Sequence, residues 1–391
     1  MKTLDWHRPR ADATLRGVKI TSVTIERLAL DLEPPFRAAW DPLPRTRFEA
    51  TLVRVHTDEG LVGVASGDTM DGFAPYESLF VGEDPLRIAR HVRALETVEF
   101  HAGRCWPLEA ALWDIAGQAL GVPCATLFGG AADRLPAYAS LGELRSPEAR
   151  AEQALELREL GFRALKLRAA RDRLDEGVAC VAAVREAVGD TMEILVDLNQ
   201  WWRMPGDVAP GLGPQAARRV VERLADHAVL WVEEPLPGSD LAGMRALREQ
   251  TGVPIAGGEM ARTFDELLAA HEYDALDVFQ PDVVLALGMS RTRTLAELLL
   301  HRNRSFTPHT WTNGLGLLAN LHVVCGVGGG PFVEYPFDPP GWTAERRDFM
   351  LAEPIRIDAD GCLRVPQRPG LGAVIDEDAV ERSRAGERVA A

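Results

Sequence analysis

From residue 135 onward the chain repeats one pattern: a short apolar run, an ionisable residue at or just past its end, and a helix-like stretch before the next run. The runs are Leu135 to Ala139, Arg163 to Leu167, Glu193 to Asp197, Val229 to Glu233, Pro254 to Gly257, Asp277 to Gln280, Ser305 to Pro308 and Phe332 to Glu334. At their ends stand Lys166, Asp197, Glu233, Glu259, Asp282, His309 and Glu334, separated by gaps of between 23 and 36 residues. One strand-helix unit takes roughly 30 residues, so the pattern predicts βα units, a parallel sheet and, with eight runs, a closed barrel. In such a barrel the seven positions share the C-terminal rim, the face on which barrel active sites sit. So many ionisable groups on one face repel or desolvate one another unless a metal and a charged substrate compensate them. Taken singly each has an ordinary reading: an acid after a strand is commonly a helix N-cap, Asp282 before Val283 and Val284 a turn residue, His309 a satisfied polar group near the core. The repetition at strand-helix spacing turns the set toward chemistry.

Upstream the rhythm differs. Val18 to Leu30, Ala50 to His56 and Leu61 to Ala65 alternate as β-strands do, the last after a turn at Asp58-Glu59-Gly60, which predicts an antiparallel meander. Between the first two lies Glu33-Pro34-Pro35-Phe36-Arg37-Ala38-Ala39-Trp40-Asp41-Pro42, too long for a hairpin turn and both aromatic and basic, as lids often are. Helical periodicity covers Leu86 to Leu95 and Pro107 to Leu120, the second stopped by Gly121. Ser146-Pro147-Glu148 opens the first downstream helix with a good cap, and Gly161 ends it.

Composition removes several function classes. A formal net charge of -15 argues against a nucleic acid or an anionic membrane as partner, since both need clustered Lys and Arg. No apolar run spans a bilayer, and residues 1–17 are polar and Arg-rich without the apolar core of a secretory signal, so a cytoplasmic location and a flexible N-terminus are expected. The five cysteines are scattered, with neither C-x-x-C nor zinc-like spacing, and are expected to be buried thiols. Only three of the 43 basic residues are lysines, Lys2, Lys19 and Lys166, so past residue 19 Lys166 is a chemical exception. Unlike arginine, a lysine can lose its proton near neutral pH.

Asp197, Glu233 and Glu259, from three successive strands, suit a hard divalent cation such as Mg²⁺; zinc would want histidine or thiolate. A proton beside a carboxylate is weakly acidic because its removal creates a dianion, which a dication neutralises while a Lys or His takes the proton.

Several motifs resemble the enolase superfamily, in its mandelate racemase branch. Ala111-Leu112-Trp113-Asp114-Ile115-Ala116-Gly117, leading to Leu127-Phe128-Gly129-Gly130, is similar to the end of that family's capping domain. Val196-Asp197-Leu198-Asn199-Gln200, Trp231-Val232-Glu233-Glu234-Pro235 and Gly257-Gly258-Glu259 resemble its three metal-ligand strands, with Glu233 as ligand and Glu234 facing a neighbouring cation or supporting the ligands. Gln280-Pro281-Asp282 and Thr307-Pro308-His309 resemble its aspartate-histidine dyad, and Glu334 falls where the branch places a glutamate that binds the substrate carboxylate. The resemblance covers nearly the whole chain after Gly17. It implies an α/β fold, a modified TIM barrel of the (β/α)7β kind over residues 135–335, with an α+β capping domain over 18–134. A C-terminal segment, 336–391, packs back on the cap. Oligomerisation with copies of itself is common among such barrels and is expected.

One departure bears on the reaction. Leu165-Lys166-Leu167-Arg168 gives Lys-x-Arg where mandelate racemase has Lys-x-Lys, and an arginine is a poor general base. A racemase needs bases on two faces, so one-sided chemistry is expected: dehydration of an acid sugar, aldonate or aldarate, to a 2-keto-3-deoxy acid. In that reading His309, held by Asp282, removes the α-proton, and Lys166 neutralises the enediolate or acts as a second acid. Asn199 touches substrate or metal water, and Arg168 clamps a carboxylate or hydroxyl, unless it is only a salt-bridging barrel residue. The loop carrying Arg37, Trp40 and Arg45 closes over the polar end of this small carboxylate substrate. The alternatives are an isomerase, racemase, epimerase or lactone cycloisomerase using the same intermediate, and a non-catalytic descendant.

Overall fold

Three antiparallel strands lead the chain in the computed structural model, which describes residues 17–67 and 70–384. They are β1 (Ile20–Phe36), β2 (Arg45–Thr57) and β3 (Val62–Gly67), side by side in that order. Residues 1–16, part of the stretch read as flexible, lie outside the described residues. β1 runs past Leu30 through Glu33-Pro34-Pro35 to Phe36, so the connecting loop is shorter than the proline-rich segment suggested and covers residues 37–44. Prolines are tolerated there because β1 is an edge strand, and the pairing register shifts between Asp31 and Phe36.

α1 (Ile88–His101) and α2 (Trp106–Leu120) cover one face of this meander. The contact is close enough to require glycine at residue 63, where a β-carbon would stand 2.0 Å from the Ala111 carbonyl oxygen. α2 ends at Gly121, which takes a left-handed φ of 69°, and α3 (Cys124–Leu127) leads into the barrel.

The eight expected strands are all present, each followed by a helix except the last. They run β4 (Arg134–Ser140), α4 (Pro147–Glu159), β5 (Ala164–Arg168), α5 (Leu174–Val188), β6 (Glu193–Asp197) and α6 (Pro214–Ala225). Then come β7 (Trp231–Glu233), α7 (Leu241–Thr251), β8 (Ile255–Gly257), α8 (Phe264–Glu272), β9 (Val278–Phe279), α9 (Gly288–His301), β10 (Ser305–Phe306), α10 (Gly314–Val327) and β11 (Val333–Pro336). The parallel ladder is continuous in the order β11-β4-β5-β6-β7-β8-β9-β10. At the seam between β10 and β11 the join is a single bridge, Gly330 N–H to the Phe306 carbonyl at 2.9 Å. This is the barrel of parallel strands that the repeat predicts, in the (β/α)7β form that the resemblance implies.

The inner face is built in layers. Tyr138, Ala164, Leu195, Trp231, Ala256 and Val278, with Phe332 beside them, form a buried apolar plug. Strand side chains alternate, so two residues further along the same face lie Ser140, Lys166, Asp197, Glu233, Gln280 and Glu334. The polar layer is thus stacked on the plug by strand geometry, and all six residues are fully buried.

The remaining described residues, up to Arg384, return to the N-terminal sheet. α11 (Ala344–Arg347) is followed by β12 (Cys362–Arg364), antiparallel to β4, and by α12 (Glu377–Ser383). Met350, Leu351 and Val380 pack with Leu28, Ala50 and Leu52, and Arg54 meets Glu377 at 2.7 Å. Each such apolar side chain, once buried, contributes roughly 1.5–3 kcal/mol. All five cysteines are buried free thiols, and among the described residues no helix is long and apolar enough to cross a membrane.

Candidate active site

Asp197, Glu233 and Glu259 come together at the C-terminal rim, each offering an oxygen within 4.8 Å of the others, all three side chains buried. Asp197 ends β6 and Glu233 ends β7, whereas Glu259 follows β8 after the turn at Gly258, φ +96°. Supporting donors hold each carboxylate. Asp197 accepts from Asn199 N at 2.7 Å, Asn199 Nδ2 at 3.2 Å, and the Arg168 guanidinium. Glu233 accepts from Lys166 Nζ at 2.7 Å and Gln280 Nε2 at 2.8 Å. Glu259 Oε1 accepts from the Trp202 indole at 2.6 Å, but its Oε2 is buried with no hydrogen-bond partner. An all-oxygen donor set with one orphaned carboxylate oxygen fits a hard divalent cation and offers nothing to a soft one.

Charge in this layer is badly unbalanced. Burial pushes the Glu233 carboxyl up, Lys166 opposes and Asp197 reinforces, for a net value of about 7. Burial also disfavours the Lys166 ammonium, yet Glu233 and Glu334 outweigh it and keep the proton on. Glu334 sits against Lys166 Nζ at 2.8 Å, Ser140 Oγ at 2.7 Å and Thr310 N at 2.7 Å. Burial raises its pKa, but Lys166, His309 and Arg168 bring it down to about 2. Glu234 turns away at φ 48°, and both its oxygens are buried without a partner. Burial first, then Glu259, Asp197 and Glu233, raise its pKa well above the usual carboxylate range. The cation expected beside Glu234 is not found among the described residues.

The dyad is assembled. His309 Nδ1 lies 3.0 Å from Asp282 Oδ2, and Asp282 Oδ1 accepts from Val284 N at 2.8 Å and Asn320 Nδ2 at 3.1 Å. With Nδ1 as donor to the carboxylate, Nε2 is the free nitrogen, 3.6 Å from Glu259 Oε2. Burial lowers the imidazole pKa, but Glu259, Glu334 and Asp282 overcome it and raise it to about 9. That surplus of negative neighbours is what a dication at the triad would offset.

A cleft of about 380 Å³ opens above this layer. On the barrel side Arg168, Asn199, Trp202, Glu259, His309 and Trp311 line it, and on the cap side Trp40, Arg45, Arg47, Phe48 and Glu49. Lys166 is not among the lining residues; it lies beneath them, fully buried. These positions bear on three of the expected roles. Arg168 lines the cleft but gives donors to the Leu141 carbonyl at 3.0 Å, Asp197, Asn199 Oδ1 at 3.2 Å and Ser140 Oγ at 3.3 Å, which ties most of its fork to the barrel rim. Its flat face carries Trp40, 4.6 Å from the ring centroid. Glu334 is bonded to Lys166, Ser140 and Thr310 and is not among the residues that line the cleft. Arg37 is exposed and outside the cleft, while Arg45 lines it with its Nε 2.8 Å from Asp41.

Ser140, Trp202, Gln280, Asn320 and Arg47 join the site without having been singled out in the sequence. Strand alternation from the apolar plug would have found Ser140 and Gln280. No comparable signal marks Trp202, which sits in the loop after β6, or Asn320, which lies one α10 turn beyond Gly316.

Residues 149–379 match the family described as Enolase C-terminal domain-like. Over 369 residues the chain is 30% identical to the D-xylonate dehydratase of Haloferax volcanii, an alignment covering 84% of each protein. It is 27% identical to the D-galactarolactone cycloisomerase of Agrobacterium fabrum, over 94% of this chain and 99% of that one. Among solved structures, a racemase from Streptomyces coelicolor with bound magnesium superposes with a TM-score of 0.80 at 26% identity, covering 94% of this chain and all of that one.

Proposed function

Because the chain belongs to this enolase family, we propose that it abstracts the proton beside a substrate carboxylate and goes on to dehydrate an acid sugar to a 2-keto-3-deoxy acid. The observation that carries the proposal is the one-sidedness of the cleft. On its barrel wall His309 is the base that the triad does not claim, whereas Lys166 is withdrawn below the carboxylates and Arg168 is bound to Asp197.

Asp197, Glu233 and Glu259 would hold a magnesium ion, whose positive charge makes the second negative charge of the enediolate tolerable. His309 takes the α-proton on Nε2, since Asp282 and the Nδ1 proton fix the ring and its tautomer. Loss of the β-hydroxyl is assisted by the same imidazolium, which returns its proton to the leaving oxygen as water departs; the enol then tautomerises to the ketone. Lys166 acts as a fixed counter-charge for Glu233 and Glu334 and needs no proton exchange with substrate. Arg168 and Asn199 position Asp197. Trp40 covers the cleft from the 37–44 loop and helps exclude water.

Incubation with Mg²⁺ and a panel of aldonic and aldaric acids, with detection of 2-keto-3-deoxy products, tests the reading. No keto product from any acid overturns dehydration. A second reading, cycloisomerisation, is favoured by the full-length likeness to the Agrobacterium enzyme. Solvent deuterium entering the α-position without loss of hydroxide selects it.

A further inference from the structure

Among the basic side chains that line the cleft, Arg47 is the one left without an acceptor. It projects from β2 into the cap wall beside Phe48 and Glu49, and its Nε is buried with no hydrogen-bond partner among the described residues. Arg45 is bonded to Asp41, and Arg168 is spent on Asp197, Asn199, Ser140 and the Leu141 carbonyl. The nearest acids in the sheet are Glu49, two residues along the same strand, and Asp31, its cross-strand partner; both are exposed and neither forms an ion pair with it. Native folds rarely leave a buried guanidinium donor unsatisfied, and a donor facing a cleft points to a ligand that supplies the acceptor.

We propose that Arg47 receives a second anionic group of the substrate, its distal carboxylate, so that the substrate is a sugar diacid. This rests on the acid-sugar reading of the site and narrows it. One carboxylate is consumed at the barrel floor beside Glu259 and His309, and the opposite wall of the cleft belongs to the cap, where Arg47 stands. Trp40, Trp202 and Trp311 line the cleft together with Arg47, so a chain extended from floor to cap would run among aromatic side chains toward the unpaired guanidinium. The planar fork of an arginine matches a carboxylate bidentately, and the other two lining guanidiniums, Arg45 and Arg168, are already ion-paired with Asp41 and Asp197.

The test compares a six-carbon aldarate, the aldonate of the same configuration and its 6-phosphate on wild type, Arg47→Met and Arg47→Lys, all with Mg²⁺. Both kcat/KM and calorimetric binding to a His309→Asn background are read. The proposal expects wild type to prefer the aldarate over the aldonate by roughly 10- to 100-fold, a ratio that Arg47→Met collapses toward one and Arg47→Lys partly restores. Preference for the aldonate, or a ratio that survives Arg47→Met, overturns it. A preference for the 6-phosphate over the aldarate also overturns it, assigning the wall to phosphate. Should no acid be dehydrated while aldarate binding stays Arg47-dependent, the dehydratase reading falls and this one stands. Should aldonates be dehydrated with no dependence on Arg47, the reverse holds.

Discussion

Replacing Lys166 by Met tests whether the acidic floor is held together by one ammonium. Its Nζ lies 2.7 Å from Glu233, 2.8 Å from Glu334 and 3.6 Å from Asp197, and none of these four side chains has any exposed surface. At such separations a pair of unit charges interacts by about 5–6 kcal/mol at the effective dielectric typical of proteins. Breaking a buried pair from one side typically costs about 3–5 kcal/mol, because the orphaned charge remains. Methionine preserves much of the volume, so packing adds little to that figure. The variant is therefore expected to lose about 3–5 kcal/mol of unfolding free energy in EDTA. The same uncompensated carboxylates should bind Mg²⁺ at least about tenfold more tightly, so saturating Mg²⁺ recovers at least about 1.4 kcal/mol of the loss. Urea denaturation with EDTA and with Mg²⁺, beside calorimetric Mg²⁺ titration, measures both quantities. Equal stability of the two proteins in EDTA, or an unchanged Mg²⁺ affinity, refutes the reasoning that Lys166 balances the floor.

Other outcomes follow from the same geometry. His309→Asn should lower α-proton exchange with solvent by roughly 10²- to 10⁴-fold while the Mg²⁺-induced gain in stability persists; retained exchange moves the base elsewhere. Trp202→Phe removes the 2.6 Å indole donor to Glu259 and should weaken Mg²⁺ binding by about tenfold, read by titration calorimetry. Stability should also fall in acid through His322, whose Nδ1 accepts from Ala125 N at 3.0 Å and whose Nε2 faces the Leu371 carbonyl at 3.1 Å. Burial pushes its pKa down to about 4, against the pull of that carbonyl, so the folded state binds fewer protons than the unfolded one. The contribution is therefore complete above pH 6.5 and lost as pH falls through 4, about 3 kcal/mol in all. His322→Gln should flatten that step in urea midpoints between pH 7 and 4, and a step of unchanged size assigns it to other groups.

The barrel was legible because a chain that buries one strand face and exposes one rim must repeat itself, and Lys166, Asp197, Glu233 and Glu259 fall on that repeat. The repeat also picked out Asp282 and His309, just past β9 and β10, strands of two residues each, but their pairing as a dyad was legible only through resemblance. Those strands are shorter than the apolar runs suggested, as pairing stops where the chain turns its side chains to the rim. Arg168 shows what a sequence withholds. Its position was plain, but whether its donors face substrate or Asp197 depends on cross-strand register, which places it opposite Asp197. Arg47 was hidden for the opposite reason: in a chain where arginine is the general-purpose cation, an arginine without an ion pair looks like all the others until the pairs are drawn.

The partners of the Arg168 guanidinium include Asp197 along its edge and the Trp40 ring on its face. A displacement of Asp197 is therefore expected to reach the 37–44 loop through Trp40. Indole emission is sensitive to a neighbouring cation, so the protein carries a built-in dye whose signal couples events at the barrel floor to the roof of the cleft.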